Sequence, residues 1–397
     1  MDTKGISKLD LKRRNRKQIL LAIREAGMLA TVDIAAQLSL TRAAVTIITN
    51  QMIAQNILED MTGPVGEPSD EPRKKGRKKT MIRIKPDFRH VLGAVVNERS
   101  ISVGLTDINN EPLDQKYMEL TGKITPEELI DFIVRSCRDL MKKHSMSAKQ
   151  ILGLGLGIVP ARWEQLRAER KDGNVAFDKL CYLLEMELGI PVLAESAISL
   201  YALAGIDYSD NSTSNQLLIY SGEHFHSAAV YNNELLGGFT KDTSTADRLI
   251  IKPGGLHSEG YPDGSVHGEL TRAALLSKIK RATGQDMDMK QLNDAYDAGD
   301  SKVAEVYEDN LETLARLIYN LCTVYDVRCA TLQCFRISEN SHRTLNENLL
   351  KLTGTENPIQ LRFSKIDGKL AFRAGSALAI DKLFFDVGGM LPGENNL

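Results

Sequence analysis

The sequence predicts two unlike parts in one chain. A winged helix-turn-helix, mainly helical, occupies residues 1–85, and an α/β body of two lobes occupies residues 86–397. Three observations predict this. The stretch ATVDIAAQLSLTRAAVTIITNQMIAQN (30–56) carries two short helical patterns around a tight connection. The charge is split: residues 1–90 hold 18 Lys and Arg against 10 Asp and Glu, whereas the remainder holds 32 against 42. A strand–turn–strand pattern near 91–106 recurs, in arrangement though not in identity, at 216–236.

Composition narrows the class. With 397 residues, 42% hydrophobic and 26% charged, the chain has the size of two or three domains and an ordinary globular balance. No apolar run is long enough to span a bilayer, and MDTKGISKLD lacks the apolar centre of a signal peptide, so a cytoplasmic protein is expected. The five cysteines form no CxxC pair and read as free thiols. A basic module on an acidic body is the electrostatic footprint of a nucleic-acid-binding domain, although a basic solvated tail gives the same sum.

Taken in order, 9–26 is a helix with Ile19, Leu20, Ile23 and Ala26 on one stripe and Gly27 as its C-cap. Lys12, Arg13, Arg14, Arg16 and Lys17 crowd its first turns, where they are expected to meet phosphates. Thr31 is expected to cap a second helix that buries Val32, Ile34, Ala35 and Leu38. Thr41 is expected to cap a third that turns Val45, Ile48 and Met52 inward. That leaves Thr41, Arg42, Ala43, Thr46 and Asn50 for the outer face, where short and hydrogen-bonding side chains near a helix N-terminus suit a major groove. A plain helical hairpin is the alternative, because such patterns recur by chance. Two short strands, 57–60 and 81–84, then flank a Gly-, Pro- and charge-rich loop, completing a winged motif. The loop's basic end includes Lys75, Arg77 and Lys78 around Gly76, which suits an A·T-rich minor groove or, alternatively, a solvated linker.

The body opens with strands at 91–96 and 101–106. Thr125-Pro126-Glu127-Glu128 then starts a helix with an N-cap, a Pro at N1 and a capping-box Glu. Its inner stripe is Leu129, Ile133, Cys137 and Leu140. A Gly-studded buried strand (151–157), a helix (177–188) and a strand (191–194) follow. The second strand pair comes next, then a long helix (303–324), a strand (330–336) and a closing helix (371–385). Lobe 1 is expected over about 86–195 plus the closing helix, and lobe 2 over about 196–370. Two lobes that each begin with a hairpin predict an actin-like, ribonuclease-H-like body, in which the paired turns face each other across a cleft and hold nucleotide phosphates.

Together these features resemble the ROK family of repressors, open reading frames and kinases, over nearly the whole chain. The N-terminal part, from Asn15-Arg16 and Ile19-Leu20 to Gly76-Arg77, resembles the repressor branch. Pro191-Val192, the NNELLGG turn (232–238) and Ala374-Gly375-Ser376-Ala377 stand where the ROK domain has its own signatures. The resemblance implies a transcriptional repressor, dimeric or tetrameric and often sugar-responsive. It also locates departures. The kinases' Asp-x-Gly phosphate turn is replaced around Val95, Val96 and Asn97, and their Gly-rich second turn by Gly222-Glu223-His224-Phe225-His226. Glu195-Ser196-Ala197 stands for the family's Glu-Asn-Asp, so no residue remains to deprotonate a sugar hydroxyl. The zinc motif keeps only His267; Thr245, Arg248, Gly260 and Pro262 occupy the other places, so no zinc and no cofactor are expected. His224, His226, His257 and His267 read as solvated loop histidines.

The sequence therefore predicts a non-enzymatic regulator that binds double-stranded DNA at an inverted repeat, as a homodimer or homotetramer and away from any membrane. A sugar derivative is expected as effector, near Glu195, Ser196 and Arg248. A ROK sugar kinase and a ligand-free scaffold are the rival readings.

Overall fold

The computed structural model describes residues 8–61, 80–168, 177–205, 215–232, 234–236, 246–366 and 368–390. The basic end of the wing loop, with Lys75, Arg77 and Lys78, lies outside them. Helix α1 (Lys8–Ala26) ends at Gly27, whose φ of 69° is the left-handed turn expected of a C-cap. Strand β1 (Leu29–Ala30), helix α2 (Thr31–Gln37) and helix α3 (Arg42–Ala54) follow, then β2 (Leu58–Asp60) and β3 (Met81–Ile84). The three strands pair in the order β1-β3-β2, so the wing closes back onto the strand that enters the helix-turn-helix. Thr31 does not cap α2: Ala30 holds the N-cap position because β1 runs directly into the helix. Thr41 does cap α3, its Oγ1 accepting from the Ala44 amide at 3.2 Å.

Lobe 1 is built from β4 (His90–Val96), β5 (Ser100–Thr106), β6 (Pro112–Glu119), α4 (Pro126–Lys143), β7 (Ile151–Ile158), α5 (Pro160–Ala168), α6 (Phe177–Leu188) and β8 (Val192–Ser196). The capping box of α4 forms as read, Thr125 accepting from the Glu128 amide and Glu128 accepting from the Thr125 amide.

After α7 (Ala197–Ala204), lobe 2 contains β9 (Gln216–Ser221), β10 (Phe225–Tyr231) and β11 (Glu234–Leu235). Helices α8 (Val266–Leu270), α9 (Arg272–Thr283), α10 (Met289–Asp297) and α11 (Ser301–Val324) come next. The lobe ends with β12 (Cys329–Gln333), α12 (Glu339–Thr353) and β13 (Gln360–Phe363), and α13 (Phe372–Ile380) follows, running on into a wider π-helical turn at Asp381–Phe385.

The two large sheets run β6-β5-β4-β7-β8 and β11-β10-β9-β12-β13. Numbered within each lobe, both read 3-2-1-4-5, with the first three strands antiparallel and the last two parallel to the first. This duplication is the actin-like body, and it places the β4–β5 and β9–β10 turns at corresponding points of the two lobes.

The Gly-studded strand is explained by α13, which lies flat on β4 and β7. Gly155 and Gly375 face each other so closely that a Cβ on either would fall on the other's carbonyl oxygen. A Cβ on Gly93 would strike the Phe372 carbonyl. Gly157 is an interior residue of β7, paired to Val95 and Glu195.

The winged helix is welded to the body. Ile19, Leu20 and Ile23 of α1 share one buried cluster with Val91, Leu152, Ile380, Phe384 and Phe385. Arg16 is 1% exposed, its Nε donating to the Gly388 carbonyl at 2.6 Å and its Nη2 to Gln55 at 2.9 Å. Lys17 pairs with Asp386 at 2.7 Å. These two cations do not face phosphates as the sequence suggests: they fasten the winged helix to the C-terminal turn. Arg13 and Arg14 stay exposed.

Candidate functional site

The first candidate surface is α3. Arg42, Ala43, Thr46 and Asn50 are exposed on one side, while Val45, Thr49 and Met52 are buried on the other. Helical spacing makes this division. Thr46 folds its hydroxyl onto the Arg42 carbonyl at 2.8 Å, which leaves its methyl for apolar contact. Ile47 is 60% exposed on the same helix. Sequence periodicity does not single it out, because an isoleucine is first assigned to a core, yet an apolar side chain there suits a thymine methyl.

The second candidate is a groove of about 760 Å³ between the β4–β5 turn of lobe 1 and the β9–β10 turn, α8, α9 and α11 of lobe 2. It is where the duplicated topology brings the two turns face to face. Glu98 crosses it. Its Oε2 accepts from the Glu223 amide at 2.6 Å, and its carboxylate fills the space where Gly222 would carry a Cβ. Burial pushes the Glu98 carboxyl up to about 7, against the Glu223 hydrogen bond that favours the charged form. The lobe 1 turn is braced behind Glu98: Arg162 donates to the Glu98 carbonyl, and Tyr201 donates to Asn97 at 2.8 Å. The Glu223 amide of the lobe 2 turn is thus already occupied by the protein's own carboxylate.

Arg99, Arg272 and Arg336 also line the groove. Burial, with repulsion from Arg99 and Arg336, lowers the pKa of Arg272, so the wall carries concentrated positive charge. None of these arginines stands out in the sequence, where each is an ordinary loop or helix-end residue.

Glu195 and Ser196 are not among the groove-lining residues. They end β8, paired to Gly157 and Ile158 of β7, and Ser196 is the N-cap of α7. Its hydroxyl is buried without a hydrogen-bond partner among the described residues. Ala197 is fully buried as the first residue of α7. Arg248 stands apart from both: it donates to the Gly260 carbonyl at 3.1 Å and lies 6.0 Å over the Tyr261 ring.

The histidines depart furthest from expectation. His226 lies within β10 and is buried. His224 and His267 are partly buried on either side of Asp247, whose side chain is 1% exposed. The Nδ1 of His224 lies 2.6 Å from Asp247 Oδ2, and that of His267 lies 3.4 Å from the same oxygen. The Asp247 hydrogen bond raises the His224 pKa. Burial opposes ionisation of Asp247, but hydrogen bonds from His224 and the Phe225 amide, with the charge of His267, hold its carboxyl below its usual value. His257 alone behaves as a solvated histidine, exposed and paired with Asp263.

A winged helix on a two-lobed actin-like body defines the class, and it is the fold of ROK proteins. No family model matches the chain. The chain is 21% identical over 377 residues to the xylose repressor of Lactiplantibacillus pentosus, covering 90% of this chain and 92% of that protein. It is 22% identical over 377 residues to the xylose repressor of Staphylococcus xylosus, covering 92% and 94%. Among solved structures, a ROK family transcriptional regulator homologous to the Escherichia coli Mlc protein aligns over 95% of this chain and 98% of its own, with a TM-score of 0.72 at 15% identity. The ROK hexokinase of Thermus thermophilus aligns over 74% of this chain and all of its own, with a TM-score of 0.61 at 18% identity. The resemblance to the repressor branch read from the sequence thus extends over nine-tenths of the chain.

Proposed function

We propose that the chain is a sequence-specific DNA-binding transcriptional repressor of the ROK type, acting on carbohydrate-related genes. Its body serves dimerisation and effector sensing in place of sugar phosphorylation. The observation that carries this reading is the exposed, capped outer face of α3 on a reading head fastened to the body through Arg16 and Lys17. The full-length likeness to two proteins named xylose repressor supports it.

The kinase reading has two observations against it. Glu98 occupies the amide of the second turn that would otherwise meet a phosphate, and Ala197 offers no proton acceptor where the family's catalytic base stands. A coupled assay for ADP release across hexoses should stay at background. The groove, with Arg99, Arg272 and Arg336 on its wall, supports an anionic sugar derivative as the effector class.

A single winged helix touches few base pairs, so two copies related by a two-fold axis are required for useful specificity, and the operator is an inverted repeat with half-sites whole helical turns apart. The test is selection of bound duplexes from a random pool, with light scattering of the complex. The expected result is an enriched inverted repeat carrying two or four chains. A monomer on DNA, or a pool with no enriched sequence, rejects the proposal.

A further inference from the structure

We propose that His224, Asp247 and His267 form a binding site for one divalent transition-metal ion of the zinc class. It differs from the zinc site that the ROK resemblance implies. Of the described positions in that motif, Arg248 is engaged with Gly260 and Tyr261, and Gly260 and Pro262 offer no ligand side chain. Only His267 is shared. The proposal revises the sequence-based expectation that the chain holds no metal.

The geometry carries it. The three ligand atoms lie within 4.8 Å of one another, and Asp247 is buried between the two imidazoles. A tetrahedral ion with bonds of about 2.0–2.1 Å holds its ligand atoms about 3.3 Å apart. The His267–Asp247 separation of 3.4 Å already matches. The His224–Asp247 separation of 2.6 Å is a hydrogen bond, which opens by less than about 1 Å when the ion replaces the shared proton. The Nδ1 of His267 is buried and has no hydrogen-bond partner among the described residues, so an atom that a metal would satisfy stands at the site.

The surroundings fix each ligand. Asp247 Oδ1 accepts from the Phe225 amide at 2.7 Å, which aims Oδ2 at the two rings. Tyr261 stacks on His267 with centroids 3.9 Å apart and planes within 8°. The Tyr261 hydroxyl lies 3.4 Å from His224 Nδ1. Two nitrogens and one carboxylate select zinc-like ions over calcium or magnesium and leave at least one coordination position for water or a groove ligand. His224 also follows Glu223, whose amide binds Glu98, so the ion would sit on the turn that joins the lobes.

The test uses the full chain, stripped with a chelator and titrated with Zn²⁺ by calorimetry and with Co²⁺ by visible absorption. The expected result is one ion per chain. His224→Ala and His267→Ala should each weaken binding more than about tenfold, because a ligand is lost. His257→Ala should bind as the parent does. Asp247→Asn keeps the acceptor for the Phe225 amide and should also weaken binding. If that buried variant fails to fold, the two histidine variants decide, with melting in chelator as the check on folding. Parent-like binding by both histidine variants, no binding by the parent, or a Co²⁺–thiolate absorption band overturns the proposal.

Discussion

The joint beneath the winged helix and the groove between the lobes are both interfaces within one chain, and they are finished in opposite ways. In the joint the two buried or half-buried cations are paired, Arg16 with Gly388 and Gln55 and Lys17 with Asp386, and Phe88, Phe384 and Phe385 share the apolar cluster that joins the winged helix to the body. In the groove, a carboxyl is buried at the cost of its ionisation, arginines are held near one another, and an imidazole nitrogen is buried without a hydrogen bond. A satisfied interface transmits position. Unsatisfied and pKa-perturbed polar groups are enriched at functional sites. Under the proposed function, the contrast supports rigid coupling for the joint and effector sensing for the groove.

The largest expected effect breaks the joint. Phe384 is fully buried against Phe88 and Phe385, and Phe384→Ala should lower stability by about 3–5 kcal/mol in chemical denaturation. A loss below about 1 kcal/mol would show that the reading head is not packed as described.

The next prediction concerns the groove. The Glu98 carboxyl titrates at about 7 in the folded chain against 4.5 as the reference. Its pKa is raised, so its contribution is whole below about pH 4.5 and is lost as pH rises through about 7. The shift corresponds to roughly 3 kcal/mol of stability lost across that window. Glu98→Gln keeps the acceptor for the Glu223 amide without the charge and should flatten the dependence; thermal melts from pH 5 to 8 compare the two. An unchanged pH profile in the variant would place the titration elsewhere.

The smallest effect sharpens the reading face. Thr41→Ala removes the cap of α3 and should cost about 1 kcal/mol of stability, with a parallel loss of DNA affinity. A melt that does not move would mean that the Ala44 amide finds water instead.

What the sequence reveals follows from the range of the signal. The Thr125–Glu128 capping box, the Thr41 cap and the outer face of α3 are local patterns, legible because their partners lie within a few residues. Strand β6 was not legible: PLDQKYME is an exposed edge strand with no apolar alternation to betray it. In the sequence Arg16 looks phosphate-facing because a cation at a helix start is usually solvated, and only the folded C-terminus supplies Gly388, 372 residues away. Glu98 with Glu223, and His224 with Asp247 and His267, come together only through lobe packing. Charged residues scattered through loops carry no periodic signal of such a meeting. The ROK resemblance pointed to Glu195, Ser196 and Arg248, but the structure gathers a different set of polar residues around the groove.

The central claim is that α3 reads DNA sequence, and the affinity of Arg42→Ala for two duplexes tests it most directly. Measured at several salt concentrations against the parent, the variant should lose about 1–3 kcal/mol on the selected inverted repeat and almost nothing on random DNA, with the salt dependence nearly unchanged. Equal loss on both duplexes, or a parent protein that does not distinguish them, would contradict it.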